Sequence, residues 1–200
     1  KENEFLTLLG PSGCGKTTLL KILGFMDQQT DGDVIFDGVN TNELWKEELT
    51  DIRRRKIGFV FQDFNLMDSL SVKENIMLPV LLDKKEQKEC EEKAETLEKQ
   101  FGIEHLQEKN PYELSGGELQ RFCVARALRK NTRLLICDEM TTMLDALNQA
   151  HIWNYVLKYA KQNNITLIAI THNKYLAEKI ANRIIKLPDL NHIDVDTSDI

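Results

Sequence analysis

The chain has 200 residues, 42% of them apolar, and a formal net charge of −6. This length supports one globular core, or a core with a smaller lobe, and its apolar runs are far shorter than the roughly 20 residues that cross a bilayer. The negative charge and the absence of a basic face argue against duplex nucleic acid as a partner, and we expect no nucleic acid to bind.

Strands alternate with helices along most of the sequence. Apolar runs predict strands at residues 5–9, 34–36, 57–61, 134–137, 165–170 and 183–187. Helical periodicity appears at residues 17–23, 146–162 and 174–181. This alternation predicts an α/β fold with a mainly parallel sheet flanked by helices.

Residues 63–110 differ, because they show helical patterns only. Ser71 and Glu74 form a capping box at the start of one helix, which Pro79 is expected to interrupt, and residues 83–101 predict a charged amphipathic helix. We therefore interpret residues 63–110 as a helical subdomain inserted into an α/β core made of residues 1–62 and 111–200.

A glycine-rich loop follows the first strand. Residues 10–17 read GPSGCGKT, which matches G-x-x-x-x-G-K-[ST] between a strand and a helix. The glycines let backbone N–H groups face phosphate oxygens, Lys16 supplies a cation, and the Thr17 hydroxyl can bind Mg²⁺. The pattern predicts a nucleoside triphosphate site formed by Gly10, Pro11, Ser12, Gly13, Cys14, Gly15, Lys16, Thr17 and Thr18.

Two adjacent carboxylates end the strand at residues 134–137. Asp138 can hold Mg²⁺ through water, while Glu139 can orient or deprotonate an attacking water. In isolation such a pair is more often a turn or a helix cap, but the phosphate motif upstream favours a catalytic interpretation.

A second glycine-lined helix start lies at residues 114–118, which read LSGGE and precede a helix predicted at residues 119–129. A helix N-terminus of this kind suits an anion. Ser115 and Glu118 also form a capping box, and the two roles are compatible. The sequence thus contains two phosphate-type sites.

Over nearly its full length the chain resembles the nucleotide-binding domain of ABC transporters, a P-loop NTPase fold. The glycine-rich loop and four further motifs occur in the family's order: Gln62 resembles the Q-loop glutamine, Ser115-Gly116-Gly117 with Gln120-Arg121 the signature, Asp145 the D-loop aspartate and His172 the switch histidine.

The resemblance implies a head-to-tail dimer with a second nucleotide-binding domain, identical or different. Each ATP would be held by Lys16 and Thr17 of one subunit and by the other subunit's signature and D-loop residues, which are Ser115, Gly116, Gly117 and Asp145. This arrangement explains why one chain has two phosphate-type sites.

The mechanism that the resemblance implies is in-line attack of water on the γ-phosphate of ATP. Glu139 would polarise the water and His172 would contact the γ-phosphate. Gln62, Asp138 and Thr17 would complete the Mg²⁺ site, and Gln62 would relay nucleotide state to a membrane-spanning permease. The chain would then be peripheral, on the cytoplasmic face of the cell membrane.

Two segments point to a branch of the family. Residues 61–66 (FQDFNL) and 75–82 (NIMLPVLL) resemble ATPases that power lipoprotein, macrolide and antimicrobial-peptide transporters. The resemblance also implies that the adenine-stacking aromatic residue and the first strands of the family's domain lie upstream of Lys1.

The sequence departs from the family after Glu139. Residues 140–145 read MTTMLD where the family usually has PTSALD or PTGALD, so Met140 removes a rigid turn and Met143 places a bulky side chain near the dimer seam. Asn173 stands where aspartate is common.

These departures leave open a regulatory module that binds ATP and closes but hydrolyses little. A soluble ATPase of DNA repair would carry a long coiled coil between Gln62 and Ser115, and a translation ATPase would carry two cassettes and a basic linker; the sequence shows neither feature.

Overall fold

The structure is a computed structural model that describes residues 4–81, 95–99, 101–128, 131–142 and 144–188. Most of the helix predicted at residues 83–101 lies outside these ranges, as does Met143. Within them, no helix is long and apolar enough to cross a membrane.

A five-stranded parallel sheet forms the centre of the described chain. Its strands are β1 (Phe5–Leu9), β4 (Ile57–Val60), β5 (Leu134–Asp138), β6 (Thr166–Ile170) and β7 (Arg183–Lys186). Their spatial order is β4-β5-β6-β1-β7, with Phe5 opposite Leu167 and Ile57 opposite Leu134. Two short strands, β2 (Ile35–Phe36) and β3 (Val39–Asn40), pair antiparallel beside it. The predicted parallel sheet is confirmed.

Helices cover both faces of this sheet. They are α1 (Lys16–Leu23), α2 (Lys46–Lys56), α3 (Val72–Leu81), α4 (Gly116–Ala127), α5 (Ala146–Gln162) and α6 (Lys174–Ile180). The side chains of β5 alternate between the faces: Leu134 and Ile136 pack in one hydrophobic cluster with Leu20 of α1, whereas Leu135 and Cys137 pack in another with residues of α3, α4 and α5.

Two helix predictions were wrong in detail. Pro79 does not interrupt α3, which continues to Leu81. A proline removes only one helical hydrogen bond, and the turns before Pro79 are held in place by the buried side chains of Val72, Ile76 and Met77. The helix expected from residue 119 begins at Gly116 as α4, since Ser115 serves as its N-cap.

Helix α2 was not predicted from the sequence. This helix has no buried residue, so its apolar periodicity is weak, and only Leu49 and Ile52 pack partly against the core. Its ends do carry signals: the Glu48 carboxylate accepts from the Trp45 N–H at 2.8 Å, and basic residues fill the last turn.

Candidate nucleotide site

The glycine-rich loop is arranged around the Lys16 ammonium. This group is buried, and its Nζ donates to the carbonyl oxygens of Gly10 at 2.8 Å and Pro11 at 2.7 Å. Gly13 and Gly15 have φ of 82° and 86°, a left-handed conformation that glycine adopts without strain. Gly15 caps α1 without a side-chain hydrogen bond, so backbone N–H groups at the start of α1 remain for a phosphate.

Gly10 is required by a close approach. A Cβ there would lie 2.6 Å from Cys14 Sγ and 3.2 Å from the Leu187 carbonyl oxygen. Any side chain at this position would therefore displace the loop. The loop is packed against its own cysteine and against the residue that follows β7.

Asp138, the last residue of β5, is hydrogen-bonded to the Thr17 hydroxyl at the start of α1. Burial raises the pKa of Asp138 above its usual range, and the Thr17 hydrogen bond and the Lys16 charge oppose that shift. The hydrogen bond between Asp138 and Thr17 thus links the end of β5 to α1, the helix that follows the glycine-rich loop.

Glu139 and His172 meet at the ends of neighbouring strands. Ile170 of β6 lies opposite Asp138, and the Ile170 carbonyl accepts from the Glu139 N–H at 3.2 Å. Glu139 has φ of 47°, and its Oε1 lies 2.7 Å from His172 Nε2. The Glu139 side chain is 16% exposed, so its carboxylate is reachable from solvent.

Gln62 lies two residues beyond β4 and is exposed. Because β4 neighbours β5 in a parallel sheet, Gln62 is at the same carboxyl edge as Asp138 and Glu139. That edge of an open α/β sheet is where ligands bind.

The capping box predicted at Ser115 is present. The Ser115 hydroxyl accepts from the Glu118 N–H at 3.4 Å and donates to Glu118 Oε2 at 2.6 Å, and the Ser115 N–H donates to the same oxygen at 2.8 Å. These two bonds from Ser115 hold the pKa of Glu118 below its usual range. The start of α4 is therefore rigid.

Asp145 caps α5 with help from Asn148, which was not predicted as a site residue. Asp145 accepts from the N–H groups of Leu147 and Asn148 at 3.0 Å, and Asn148 Nδ2 donates to Asp145 Oδ2 at 2.6 Å. A Cβ added at Gly117 would lie 3.4 Å from Asn148 Oδ1. The Asn148 side chain thus lies between Asp145, to which it is hydrogen-bonded, and the backbone at Gly117.

The site residues therefore form two groups. One group lies at the carboxyl edge of the sheet with the glycine-rich loop. The other group consists of Ser115–Gly117 at the start of α4 and Asp145 at the start of α5. Between the described residues 10–18 and 115–117 no hydrogen bond or ion pair is formed.

Asn173, which stands where the family commonly has aspartate, accepts from the Leu176 N–H at 3.1 Å and so caps α6 as an aspartate would.

Comparisons with known proteins agree on one family. A family model described as "ABC transporter" matches residues 1–142. The chain is 39% identical over 189 residues to the lipoprotein-releasing system ATP-binding protein LolD of Aquifex aeolicus, covering 94% of this chain and 84% of LolD. It is 38% identical over 194 residues to the macrolide export ATP-binding/permease protein MacB of Mannheimia succiniciproducens, covering 97% of this chain but 30% of MacB.

A solved structure matches the fold as well. The ATP-binding cassette MJ0796 of Methanocaldococcus jannaschii, in a dimeric post-hydrolysis state bound to ADP and Pi, superposes with a TM-score of 0.84. The two chains are 38% identical, and the match covers 94% of this chain and 82% of the other. The resemblance to the lipoprotein and macrolide branch is confirmed by these relatives.

Proposed function

This chain belongs to the ABC transporter family, and we propose that it uses ATP to drive substrate movement by a separate membrane-spanning permease. It is an ATP-binding subunit with ATPase activity, as are the cassettes it matches.

The contact between Glu139 and His172 is the observation that carries the proposed mechanism. Their 2.7 Å contact lies at the carboxyl edge of the sheet beside the loop that holds Lys16. At this distance a His172 ring with its proton on Nε2 would donate a hydrogen bond to the Glu139 carboxylate and orient it. Glu139 would then take a proton from water as the water attacks the γ-phosphate, and His172 would contact that phosphate.

Oxygen donors on this edge fit Mg²⁺. Thr17 and Asp138 are already in hydrogen-bond contact, and hydroxyl, carboxylate and Gln62 amide oxygens are ligands that Mg²⁺ accepts. No cluster of three or more acidic, histidine or cysteine side chains able to hold a metal occurs in the described ranges, which suits a cation held largely by phosphate and water. When bound, Mg²⁺ would neutralise charge on the phosphate oxygens.

A head-to-tail dimer would complete the site. Ser115 and Gly117 lie at a capped helix start with no bond to the chain's own glycine-rich loop within the described residues. They are thus suited to the γ-phosphate of a nucleotide held by a second cassette. MJ0796, which is dimeric, supports this assembly.

The permease is proposed from the relatives. LolD belongs to a lipoprotein-releasing system, and MacB is a macrolide export protein with its own permease part. We infer that the complex of this chain and its permease exports lipoproteins, macrolides or peptides, or gives resistance to such compounds. In that complex this chain would be peripheral, on the cytoplasmic face of the membrane. Residues 63–110 would form the helical subdomain that faces the permease, and Gln62 would link it to the core of residues 1–62 and 111–200.

Purification of the full-length protein with its permease tests this function. ATP hydrolysis measured by phosphate release should require Mg²⁺ and should stop when EDTA removes it. In proteoliposomes, candidate lipoprotein, macrolide and peptide substrates should raise the rate selectively. Turnover that is unaffected by EDTA contradicts the Mg²⁺ assignment, and failure of any permease to co-purify contradicts the proposed partner.

A further inference from the structure

The segment after Glu139 needs support that its own sequence does not supply. Glu139 is in the left-handed region, with φ of 47°, which is a strained conformation for a residue with a side chain. Met140 follows Glu139, and methionine does not restrict φ. Another contact must therefore hold this turn.

Trp153 of α5 provides that contact. Its indole Nε1 donates to the Thr141 hydroxyl at 3.1 Å, and the two residues are 3% and 4% exposed. The next residue, Thr142, donates to the Glu139 carbonyl through its N–H at 3.2 Å and also through its hydroxyl. These hydrogen bonds, together with the peptide bond between Thr141 and Thr142, thus connect α5 to the backbone of Glu139.

The Trp153 bond adds a directional contact to the packing of this turn. Met140 and Trp153 are buried in the same hydrophobic cluster. An open pocket of about 290 Å³ is lined by Glu139 and His172 and also by Met140, Ile170 and Trp153. Because a hydrogen bond is directional whereas apolar packing is not, the bond to the Thr141 hydroxyl sets the orientation of this segment beside the pocket.

We propose that Trp153 is a positioning residue for ATP hydrolysis, which anchors Thr141 so that the Glu139 carboxylate stays against His172. This inference rests on the proposed role of Glu139. Trp153 is buried and acts through Thr141 rather than on the nucleotide itself.

Trp153→Phe in the full-length protein with its permease is the first test, because phenylalanine keeps an aromatic ring but removes the N–H. We expect kcat to fall about tenfold, the range of a lost buried hydrogen bond. KM and the dissociation constant for ATP should stay within about twofold, since no nucleotide contact changes. The matched control is Trp45→Phe, because Trp45 is the chain's other tryptophan, is 77% exposed and should leave kcat unchanged.

Variants of Thr141 separate positioning from a general loss of stability. Thr141→Ser keeps the hydroxyl and should keep kcat, whereas Thr141→Val should lower it, and adding Trp153→Phe should lower it little further.

The outcomes are distinguishable. If Trp153→Phe keeps the wild-type kcat, or if Thr141→Val hydrolyses ATP as fast as Thr141→Ser, the positioning role is overturned while the ATPase assignment stands. If Glu139→Gln hydrolyses ATP at the wild-type rate, the role of Glu139 fails, and the inference about Trp153 fails with it.

Discussion

Glu139 Oε1 and His172 Nε2 lie 2.7 Å apart, so the proposed base and the proposed γ-phosphate contact are already oriented towards each other by two adjacent strands. Glu139→Gln removes the base but keeps the shape and a hydrogen-bonding oxygen. We expect kcat to fall at least about 100-fold while ATP still binds, the usual size of a general-base loss. Phosphate release and equilibrium binding measure the two quantities.

A matched control is Glu47→Gln, because Glu47 is exposed in the first turn of α2 and lies outside the site. It should hydrolyse ATP at the wild-type rate. Since Glu139→Gln binds ATP without consuming it, we also expect size-exclusion chromatography to show an ATP-dependent dimer. An ATP-loaded Glu139→Gln protein that stays monomeric would contradict the proposed assembly.

Lys16→Ala should abolish ATP binding. The Lys16 ammonium is the cation of the glycine-rich loop. Its loss would remove the charge-assisted bonds that we propose it makes to the outer phosphates. We expect the dissociation constant for ATP to rise by about 100-fold or more, measured by isothermal titration calorimetry. Lys21→Ala, on the exposed face of the same helix, is the control and should bind normally. Equal affinity in wild type and Lys16→Ala would show that the phosphates bind elsewhere.

Ser115 has a structural and a proposed functional role, and two variants separate them. Ser115→Ala loses the cap of α4 and should cost about 1 kcal/mol of unfolding free energy. In the Glu139→Gln background it should also lose ATP-dependent dimerisation. Glu118→Ala removes the other half of the capping box and should lower stability but leave dimerisation intact. If both variants dimerise equally well, the Ser115 hydroxyl does not contact the partner's nucleotide.

Glu98 predicts a pH dependence of stability. Its side chain is fully buried, neither carboxylate oxygen has a hydrogen-bond partner among the described residues, and its pKa is raised to about 7, mainly by burial. The Lys73 charge lowers this pKa, while nearby acidic residues, Glu95, Glu104 and Glu108, raise it.

Because the folded-state pKa of Glu98 exceeds its ordinary value of 4.5, its contribution to stability is complete below pH 4.5 and is lost as pH rises through about 7. Glu98→Gln stays neutral, so at about pH 8 it should be more stable than wild type by on the order of 1–3 kcal/mol, with little difference near pH 4.5. Urea denaturation across this range measures the effect. Glu47→Gln, at an exposed glutamate that is not among these neighbours, should show no such gain.

The sheet was predictable from sequence because its strands are short apolar runs ended by polar residues. The sequence did not predict the order β4-β5-β6-β1-β7, since chain order does not determine which strands pair. Helix α2 was missed because tertiary contacts of a few half-buried residues, rather than a clear apolar face, hold it. The predicted interruption of α3 at Pro79 was wrong for a related reason. Packing of the buried side chains of α3 outweighed the low helix propensity of proline.

The site residues came from motifs, and motifs contain residues that touch the nucleotide. Asn148 and Trp153 lie outside those motifs. An aspartate followed three residues later by an asparagine does indicate a reinforced cap at Asp145, but the approach of Asn148 to Gly117 exists only after α4 and α5 pack. The bond from Trp153 to Thr141 likewise joins residues twelve positions apart through the fold.

The hydrogen bonds of Lys16 also bear on how tightly a nucleotide can bind. The Lys16 ammonium already donates to the carbonyl oxygens of Gly10 and Pro11, so the loop acts as an internal competitor for the same cation. We expect a bound triphosphate to compete with those carbonyls for the Lys16 ammonium, so that its affinity would be a difference between two sets of hydrogen bonds.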